Sequence, residues 1–280
     1  MSYYKILGLE KEPFSTSPDP QFFYQSKEHK AALYRLRTAL DLKRGLSLVL
    51  GDVGTGKTTL SRKLSQLLLQ DPNIIMTVIL NPVYETEKQF LADLIERFHI
   101  PFDAAGNELS VLDYLKIIEK FLFEKGVEGN KTIILIIDES QKLIVPCLEV
   151  LRSLLNYETN EYKILQLVLI GQKELYTSLN QIRNLWDRIA LKYILNPLEE
   201  HEVRDLISFR LTQAGYISRE PLFSDGAIRA IYNHSQGYPR KIAMLCHNAL
   251  EYLIMHNKNI VDREVIETLF HREIQPVTPY

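Results

Sequence analysis

"GDVGTGKTT", residues 51–59, is the stretch that decides the fold. It matches the pattern G-x-x-x-x-G-K-[ST] and lies between the apolar run "LSLVL" (46–50) and a helical segment that starts near residue 58. Glycines let such a loop curl until its backbone N–H groups face phosphate oxygens, and the positive end of the following helix adds to the attraction. A chance glycine turn explains this context poorly, so the stretch predicts a nucleotide site.

Two residues of this loop carry specific expectations. Lys57 is the expected point charge for the β- and γ-phosphates, and Thr58 is the expected hydroxyl ligand of Mg²⁺. Because the backbone of the whole loop surrounds the phosphates, each of its residues is a candidate nucleotide-binding residue. These residues are Gly51, Asp52, Val53, Gly54, Thr55, Gly56, Lys57, Thr58 and Thr59.

Apolar runs and helical segments alternate along the first two thirds of the chain. The expected strands are 46–50, 74–80, 132–138, 164–170 and 189–195. This alternation predicts an α/β fold, a P-loop type parallel sheet flanked by helices on both faces. After "NPLEE" (196–200) only helical segments follow, which indicates a small all-helical domain. The expected domains are an extended N-terminal strap (1–25), an α/β nucleotide-binding domain (26–196) and a helical lid (197–280).

The run "IILIIDES" (133–140) ends a central strand in two acids. Ligands of open parallel sheets bind outside the carboxyl ends of the strands, so these acids are expected beside the glycine-rich loop. Asp138 is a candidate Mg²⁺ ligand, typically through water, and Glu139 is a candidate to polarise the attacking water in phosphoryl transfer. The alternative for both is a capped strand end.

Polar residues also end two other strands. Asn81 follows the second strand, where its amide could hydrogen-bond Glu139 and hold it away from the water, although a turn-forming asparagine before Pro82 explains it equally well. Gln172 follows the fourth strand, where it could reach the γ-phosphate or the attacking water. Its alternative role is to cap the next helix.

Three arginines are further candidates. Arg188 and, less favourably, Arg183 precede the last strand, where an arginine can be directed at a neighbouring subunit's nucleotide to supply charge in trans. The alternative is a surface arginine paired with Asp187 or another acid. In "GYPRKIAMLC" (237–246), Arg240 lies in the first turn of a helix, where it either contacts the γ-phosphate or is merely solvated.

Composition narrows the other possibilities. The formal net charge of −2 argues against a basic footprint over the whole protein, and the two cysteines lack ligand-like spacing. The seven histidines are scattered without metal-ligand spacing. The longest apolar runs fall far short of the roughly 18 residues that a membrane-spanning helix needs. These features predict a soluble, cytoplasmic protein without a transmembrane segment.

The strap contains "EKEPFSTSPDPQFFY", residues 10–24, whose three prolines disfavour a helix. Its four rings indicate that it packs rather than links. They are expected either to lie on the α/β domain near the adenine or along the subunit seam, or simply to anchor a tail to the core. The rings are those of Phe14, Phe22, Phe23 and Tyr24.

Together these motifs resemble the AAA+ ATPases, and more narrowly the ExeA/GspA family of type II secretion with the related MshM-type ATPases of pilus biogenesis. The resemblance covers nearly the whole chain. Its marks are "GLEKEPFSTSPDPQFFY", "GDVGTGKTT", "IIDESQKL", "LEVLRSLLNYET", "LVLIGQKEL", "RIALKYILNPL" and "GYPRKIAMLCHNAL".

The resemblance implies Mg²⁺-dependent binding and hydrolysis of ATP by a homo-oligomer, a ring or filament, whose site is completed by a neighbouring subunit. Lys57, Thr58, Asp138 and Glu139 match the Walker positions. Gln172 matches the sensor-one position, Arg240 the sensor-two position and Arg188 the arginine finger. The implied partners are components of type II secretion or of type IV-like (MSHA) pilus assembly, which would bring a cytoplasmic protein to the inner membrane.

Two departures from the family are visible. ExeA proteins continue into a transmembrane helix and a peptidoglycan-binding region, whereas this sequence stops after the lid at "QPVTPY", which favours a short MshM-type relative. Lys173 stands where the family often has proline, which is expected to affect only local rigidity. Two alternatives stay open: a regulator of DNA transposition of the TniB/TnsC/MuB type that binds duplex DNA, and a nucleotide-gated scaffold with little turnover.

Overall fold

The computed structural model describes residues 2–17, 19–102, 109–182, 184–218 and 220–274, with side chains as far as residue 271. These residues form two compact units. The sheet unit consists of Glu28–Val53 and Leu60–Leu195. The helical unit consists of the described residues up to Lys27, of Gly54–Thr59, and of the described residues from Asn196 onward.

The sheet unit is built on five parallel strands in the order β2-β3-β4-β1-β5. The strands are β1 (Leu46–Gly51), β2 (Ile74–Ile79), β3 (Thr132–Ile137), β4 (Leu165–Gly171) and β5 (Ile189–Leu195). The expected α/β fold with a parallel sheet is therefore confirmed. Because all strands run in one direction, the segments that follow β1, β3 and β4 leave the sheet at one common edge.

The three central strands are buried on both faces, as their largely apolar sequences predict. Alternate residues such as Leu48, Leu135 and Leu167 belong to a core cluster on one face. The residues between them, such as Val49 and Ile136, are equally inaccessible to solvent. The helices in this part of the chain are α2 (Lys27–Asp41), α3 (Lys57–Leu68), α4 (Glu87–Arg97), α5 (Val111–Phe123), α6 (Val145–Leu154) and α7 (Glu174–Asn180).

The helical unit has a second, separate core, formed by amphipathic helices and the N-terminal segment. Its helices are α1 (Tyr3–Ile6), α8 (Glu200–Gln213), α9 (Asp225–Ser235), α10 (Pro239–Met255) and α11 (Arg263–Ile274). Ser224 caps α9 by accepting a hydrogen bond from the N–H of Ala227. The all-helical character expected after residue 197 is thus present in the described residues.

Three rings of the N-terminal strap pack within the helical unit. Phe14 and Phe22 belong to the core of the helical unit, and the Phe14 ring meets Phe223 edge to face at 5.9 Å. Tyr24 packs beside Phe209, and its hydroxyl donates to Asp205 at 3.3 Å. For these three rings the described contacts are those of an anchor for the tail, one of the two expected roles, and packing near the adenine or along the subunit seam stays a prediction.

The Arg210 side chain binds the backbone of the same strap. The Arg210 Nη1 donates to the carbonyl oxygen of Ser15 at 3.2 Å, and burial lowers the pKa of the guanidinium from its usual value. An extended, proline-containing segment leaves carbonyl groups without intrasegment partners, so an arginine beneath it satisfies one of them. The strap and the C-terminal helices therefore belong to the same compact unit. As functional domains, the expected limits 1–25, 26–196 and 197–280 stay a prediction.

Candidate functional site

The glycine-rich loop leaves β1 at Gly51 and leads into α3, which begins at Lys57. Gly54 and Gly56 have φ angles of +86° and +95°, in the left-handed region that glycine adopts without cost. Lys57 is buried, with 5% of its surface exposed. The first N–H groups of α3 lack partners within the helix, so this end of the helix suits an anion. The loop therefore has the local geometry that phosphate binding requires.

Arg240 contacts this loop through its backbone, within the helical unit. Its N–H donates to the carbonyl oxygen of Gly54 at 3.3 Å. A Cβ atom added to Gly54 would lie 3.2 Å from the Cβ of Arg240, so glycine permits this close approach. Pro239 occupies the first turn of α10, and the side chain of Arg240 is exposed. The expected sensor-two arginine thus lies beside the phosphate-binding loop with its guanidinium in solvent.

The two acids follow β3 directly. Asp138 is 1% exposed, and its Oδ1 accepts the N–H of Glu139 at 2.9 Å. Its own N–H donates to Ile79 on the neighbouring strand at 2.8 Å. Glu139 has φ of +52° and ψ of +33°, a left-handed conformation that costs a non-glycine residue roughly 1–2 kcal/mol. The chain therefore turns sharply after Asp138, and the Glu139 side chain is half-buried.

Sequence reasoning did not find Gln141, which is the hydrogen-bond partner of Glu139. The Gln141 Nε2 donates to Glu139 Oε2 at 2.7 Å, and the Gln141 Oε1 accepts the N–H of Gln172 at 3.1 Å. No sequence pattern predicts where the Gln141 side chain lies, because its position depends on the left-handed backbone conformation at Glu139.

Asn81 follows β2 and makes two described hydrogen bonds there. Its Oδ1 accepts from the Nζ of Lys142 at 2.9 Å, and its carbonyl oxygen accepts the N–H of Val83 in a turn. The side chain is exposed and its described contact is with Lys142 rather than with Glu139. The turn is the alternative that the sequence left open, and a role of Asn81 in holding Glu139 stays a prediction.

Gln172 follows β4, the strand between β3 and β1. Helix α7 begins after Lys173, which makes no side-chain cap, and the carbonyl oxygen of Gln172 accepts the N–H of Leu175 in the first turn at 3.0 Å. The roles of the Gln172 side chain stay predictions. Next to it, Lys173 Nζ forms an ion pair with Asp52 Oδ2 at 3.0 Å. The lysine that departs from the family pattern thus connects the end of β4 to the glycine-rich loop. An exposed pair of this kind contributes about 0–1 kcal/mol.

Arg188 directly precedes β5 and lies at the amino ends of the strands, opposite the carboxyl ends from which the glycine-rich loop and the acid pair leave. Its Nη1 donates to the Oδ1 of Asn156, and its partner is thus an amide rather than Asp187. Lys163 and, more weakly, Arg188 lower the pKa of the neighbouring Glu158 carboxyl. The side chain is therefore hydrogen-bonded to an amide, and the Glu158 carboxylate lies near enough to feel its charge. Arg183, the second candidate for the finger, lies outside the described residues.

The turn before α10 requires a glycine at position 237, because the backbone of Leu198 lies very close to it. Gly237 has φ of +75°, and an added Cβ would lie 2.0 Å from the carbonyl oxygen of Leu198. Its own carbonyl oxygen accepts the N–H of Leu198 at 2.9 Å. This pairing fastens the segment that enters α8 to the turn that carries Arg240.

We therefore expect Gly237→Ala to lower the free energy of unfolding by about 2–3 kcal/mol, since backbone atoms must move to admit the methyl group. Chemical denaturation of the purified variant measures this change. Gly226→Ala is the matched control in the same unit, because its Cβ would make only ordinary contacts, the shorter at 3.5 Å, inside α9. That variant should be neutral or stabilised by up to about 1 kcal/mol. Equal behaviour of the two variants would contradict the assignment.

Comparison with known proteins agrees with this geometry. A family model described as AAA domain matches residues 40–179. The general secretion pathway protein A of Aeromonas hydrophila is 39% identical over 250 residues, which cover 89% of this chain and 44% of that protein. The chain thus spans less than half the length of this relative.

Solved structures show the same fold at low sequence identity. The Drosophila ORC bound to DNA aligns with a TM-score of 0.67 and 17% identity, covering 98% of this chain and 67% of that chain. The Cdc6p of Pyrobaculum aerophilum aligns with a TM-score of 0.66 and 18% identity, covering 89% and 67%. In the described part of the chain, no helix combines the length and the apolar character needed to cross a membrane. The matching family model, the parallel sheet and the glycine-rich loop show that the chain belongs to the AAA domain family of AAA+ proteins. Its identity with general secretion pathway protein A shows that it is ExeA/GspA-like.

Proposed function

We propose that the chain binds and hydrolyses ATP with Mg²⁺. The observation that carries this proposal is the common edge of the sheet from which three functional segments leave. The glycine-rich loop follows β1, Gln172 follows β4 and the acid pair follows β3, on three adjacent strands. Gly51 is the last residue of β1 and Asp138 directly follows β3. Since neighbouring strands lie about 4.8 Å apart, these two strands are separated by about 10 Å, a distance that a triphosphate with its metal ion can span.

Each residue has a distinct role in this proposal. Lys57 and the loop N–H groups bind the phosphates, and Arg240 would contact the γ-phosphate. Thr58 and Asp138 would hold the Mg²⁺ ion, which would supply positive charge beside the phosphate oxygens. Carboxylate and hydroxyl oxygens are the ligands that this ion prefers, so the residue types fit it. Glu139 orients the attacking water and Gln172 contacts the γ-phosphate or that water.

We further propose that the chain acts as a homo-oligomer, a ring or filament, with Arg188 directed at the nucleotide of a neighbouring subunit. Its distance from the chain's own nucleotide edge supports this arrangement. The similarity to general secretion pathway protein A supports a role in a secretion machine, and assembly of a type IV-like pilus is the related proposal. Such a role would take the protein from the cytoplasm to partners at the inner membrane.

The first test compares wild type with Lys57→Ala. We expect Mg²⁺-dependent release of phosphate from ATP by wild type, and at least about 10-fold weaker ATP binding by the variant, because a charge-assisted contact is lost. Lys63→Ala, on the same helix α3, is the matched control and should bind ATP as wild type does. Equal ATP affinity of Lys57→Ala and wild type would contradict the proposed site.

Phosphate release and ATP binding, together with a titration of duplex DNA across a salt series, separate the two alternatives. ATP binding by wild type without measurable turnover would indicate the nucleotide-gated scaffold. Hydrolysis together with ATP-dependent binding to duplex DNA, with log affinity falling as log salt rises, would instead favour the transposition regulator. Hydrolysis without such binding supports the secretion or pilus role.

A further inference from the structure

One glutamine connects the two polar residues proposed to face the γ-phosphate and the attacking water. Gln141 is half-buried, and both ends of its amide are used. Its Nε2 donates to Glu139 Oε2 at 2.7 Å, and its Oε1 accepts the N–H of Gln172 at 3.1 Å. A carboxylate accepts and a backbone N–H donates, so these two partners permit a single orientation of the amide.

The backbone around Gln141 is shaped to allow this bridge. Ser140–Lys142 form a short 3-10 turn after the left-handed Glu139. The buried hydroxyl of Ser140 donates to the carbonyl oxygen of Ile137 at 2.7 Å, which fastens the turn to the end of β3. The turn therefore directs the Gln141 side chain across to the end of the adjacent strand β4.

Gly171 makes room for the bridge on that strand. A Cβ atom added there would lie 3.0 Å from Gln141 Oε1 and 3.0 Å from Leu175 Cδ2. A side chain at this position would therefore press against the amide oxygen that accepts from Gln172. Gly171, the last residue of β4, has no side chain and therefore leaves the two hydrogen bonds of Gln141 undisturbed.

We propose that Gln141 is a positioning residue that couples Glu139 to Gln172. When the Gln172 side chain engages the γ-phosphate, its backbone N–H moves with it, and the amide of Gln141 transmits this movement to the carboxylate that orients the water. The presence of the γ-phosphate and the orientation of Glu139 are thereby linked through two hydrogen bonds. This inference rests on the proposed ATPase activity and adds a regulatory connection to the same site.

The test uses two substitutions of similar length in the full chain. Gln141→Glu retains an acceptor for the Gln172 N–H but presents a like charge to Glu139, and Gln141→Met removes both hydrogen bonds. We expect each to lower kcat for ATP about 10-fold while KM and the Kd for ATP stay within about twofold, because the water is misplaced and the nucleotide is not. Gln181→Glu, on the exposed end of α7, is the matched control and should keep the wild-type kcat.

A double-variant cycle distinguishes coupling from a structural role. Gln172→Ala removes the contact to the γ-phosphate, so adding Gln141→Met to it should lower kcat by less than about threefold further. Independent effects that multiply to the full 10-fold would overturn the coupling. Unchanged kcat in Gln141→Glu and Gln141→Met, with active wild type, would overturn the inference alone. Inactive wild type would instead overturn the proposed function.

Discussion

Arg188→Ala is expected to lower kcat for ATP hydrolysis by about 1,000-fold and to leave the Kd for ATP within about twofold of wild type. An arginine that reaches the transferring phosphoryl group from a neighbouring subunit stabilises charge that develops only in the transition state, and such an arginine contributes about 10³-fold or more. Steady-state phosphate release and fluorescence titration with a nucleotide analogue measure the two quantities.

The sheet geometry favours the proposal that this arginine acts in trans. Arg188 directly precedes Ile189, which pairs with Leu46 at the amino end of β1. The glycine-rich loop leaves from the carboxyl end of β1, where Gly51 pairs with Leu195. Six residues of strand separate the two ends, about 20 Å. An arginine side chain does not span this distance, so its own nucleotide is out of reach within the sheet unit.

Mixing two inactive variants tests the trans arrangement. Arg188→Ala retains the nucleotide site and Lys57→Ala retains the arginine, so in a random 1:1 oligomer roughly one interface in four combines the two intact halves. Partial recovery of hydrolysis is therefore expected. Arg37→Ala, which breaks only the exposed pair with Asp41, is the matched control and should keep wild-type turnover. An inactive mixture would assign Arg188 a structural role through Asn156.

The fold could be predicted from the sequence because its strongest signals are local. The central strands are short, continuous apolar runs between helical segments, and the glycine-rich loop specifies a strand before it and a helix after it. Every strand expected from the sequence is present, the limits shifting by a residue at some ends, as in β4 (Leu165–Gly171). The position of Asp138 at the carboxyl edge follows from the direction of the strands alone.

The details of the acid pair could not be predicted, since they depend on backbone angles. Asn81, a residue of the right type after the adjacent strand, was one candidate partner of Glu139, with a turn before Pro82 as the equal alternative. The left-handed conformation at Glu139 instead brings Gln141 to the carboxylate, and Lys142 takes the amide oxygen of Asn81. Neither contact has a periodic or spacing signal in the sequence.

The N-terminal strap illustrates a different limit. Prolines and rings in residues 10–24 indicate an extended segment that packs, but a ring carries no information about which surface it packs on. Its actual partners, such as Phe223 and Arg210, lie about 200 residues further along the chain. Long-range contacts of this kind depend on the shape of the helical unit as a whole.

Glu139→Gln is expected to lower kcat for ATP hydrolysis by about 100-fold or more while ATP remains bound. The substitution removes the negative charge that polarises the attacking water, and a general base contributes about 10²–10⁴-fold. It should leave the structure intact, because the new amide oxygen can still accept the hydrogen bond that Gln141 donates to Glu139 Oε2 at 2.7 Å. Since the nucleotide is no longer consumed, the ATP-bound oligomer should accumulate, which light scattering in the presence of ATP and Mg²⁺ measures.

Glu96→Gln provides the matched control, because Glu96 is an exposed residue of α4 in the same sheet unit. It should hydrolyse ATP at the wild-type rate and show no additional oligomer. Hydrolysis by Glu139→Gln at the wild-type rate would show that another group orients the water and would remove Glu139 from the mechanism. A slow Glu139→Gln variant that also fails to retain ATP would place the residue in nucleotide binding rather than in the hydrolytic step, because loss of a water-orienting carboxylate affects only the transition state.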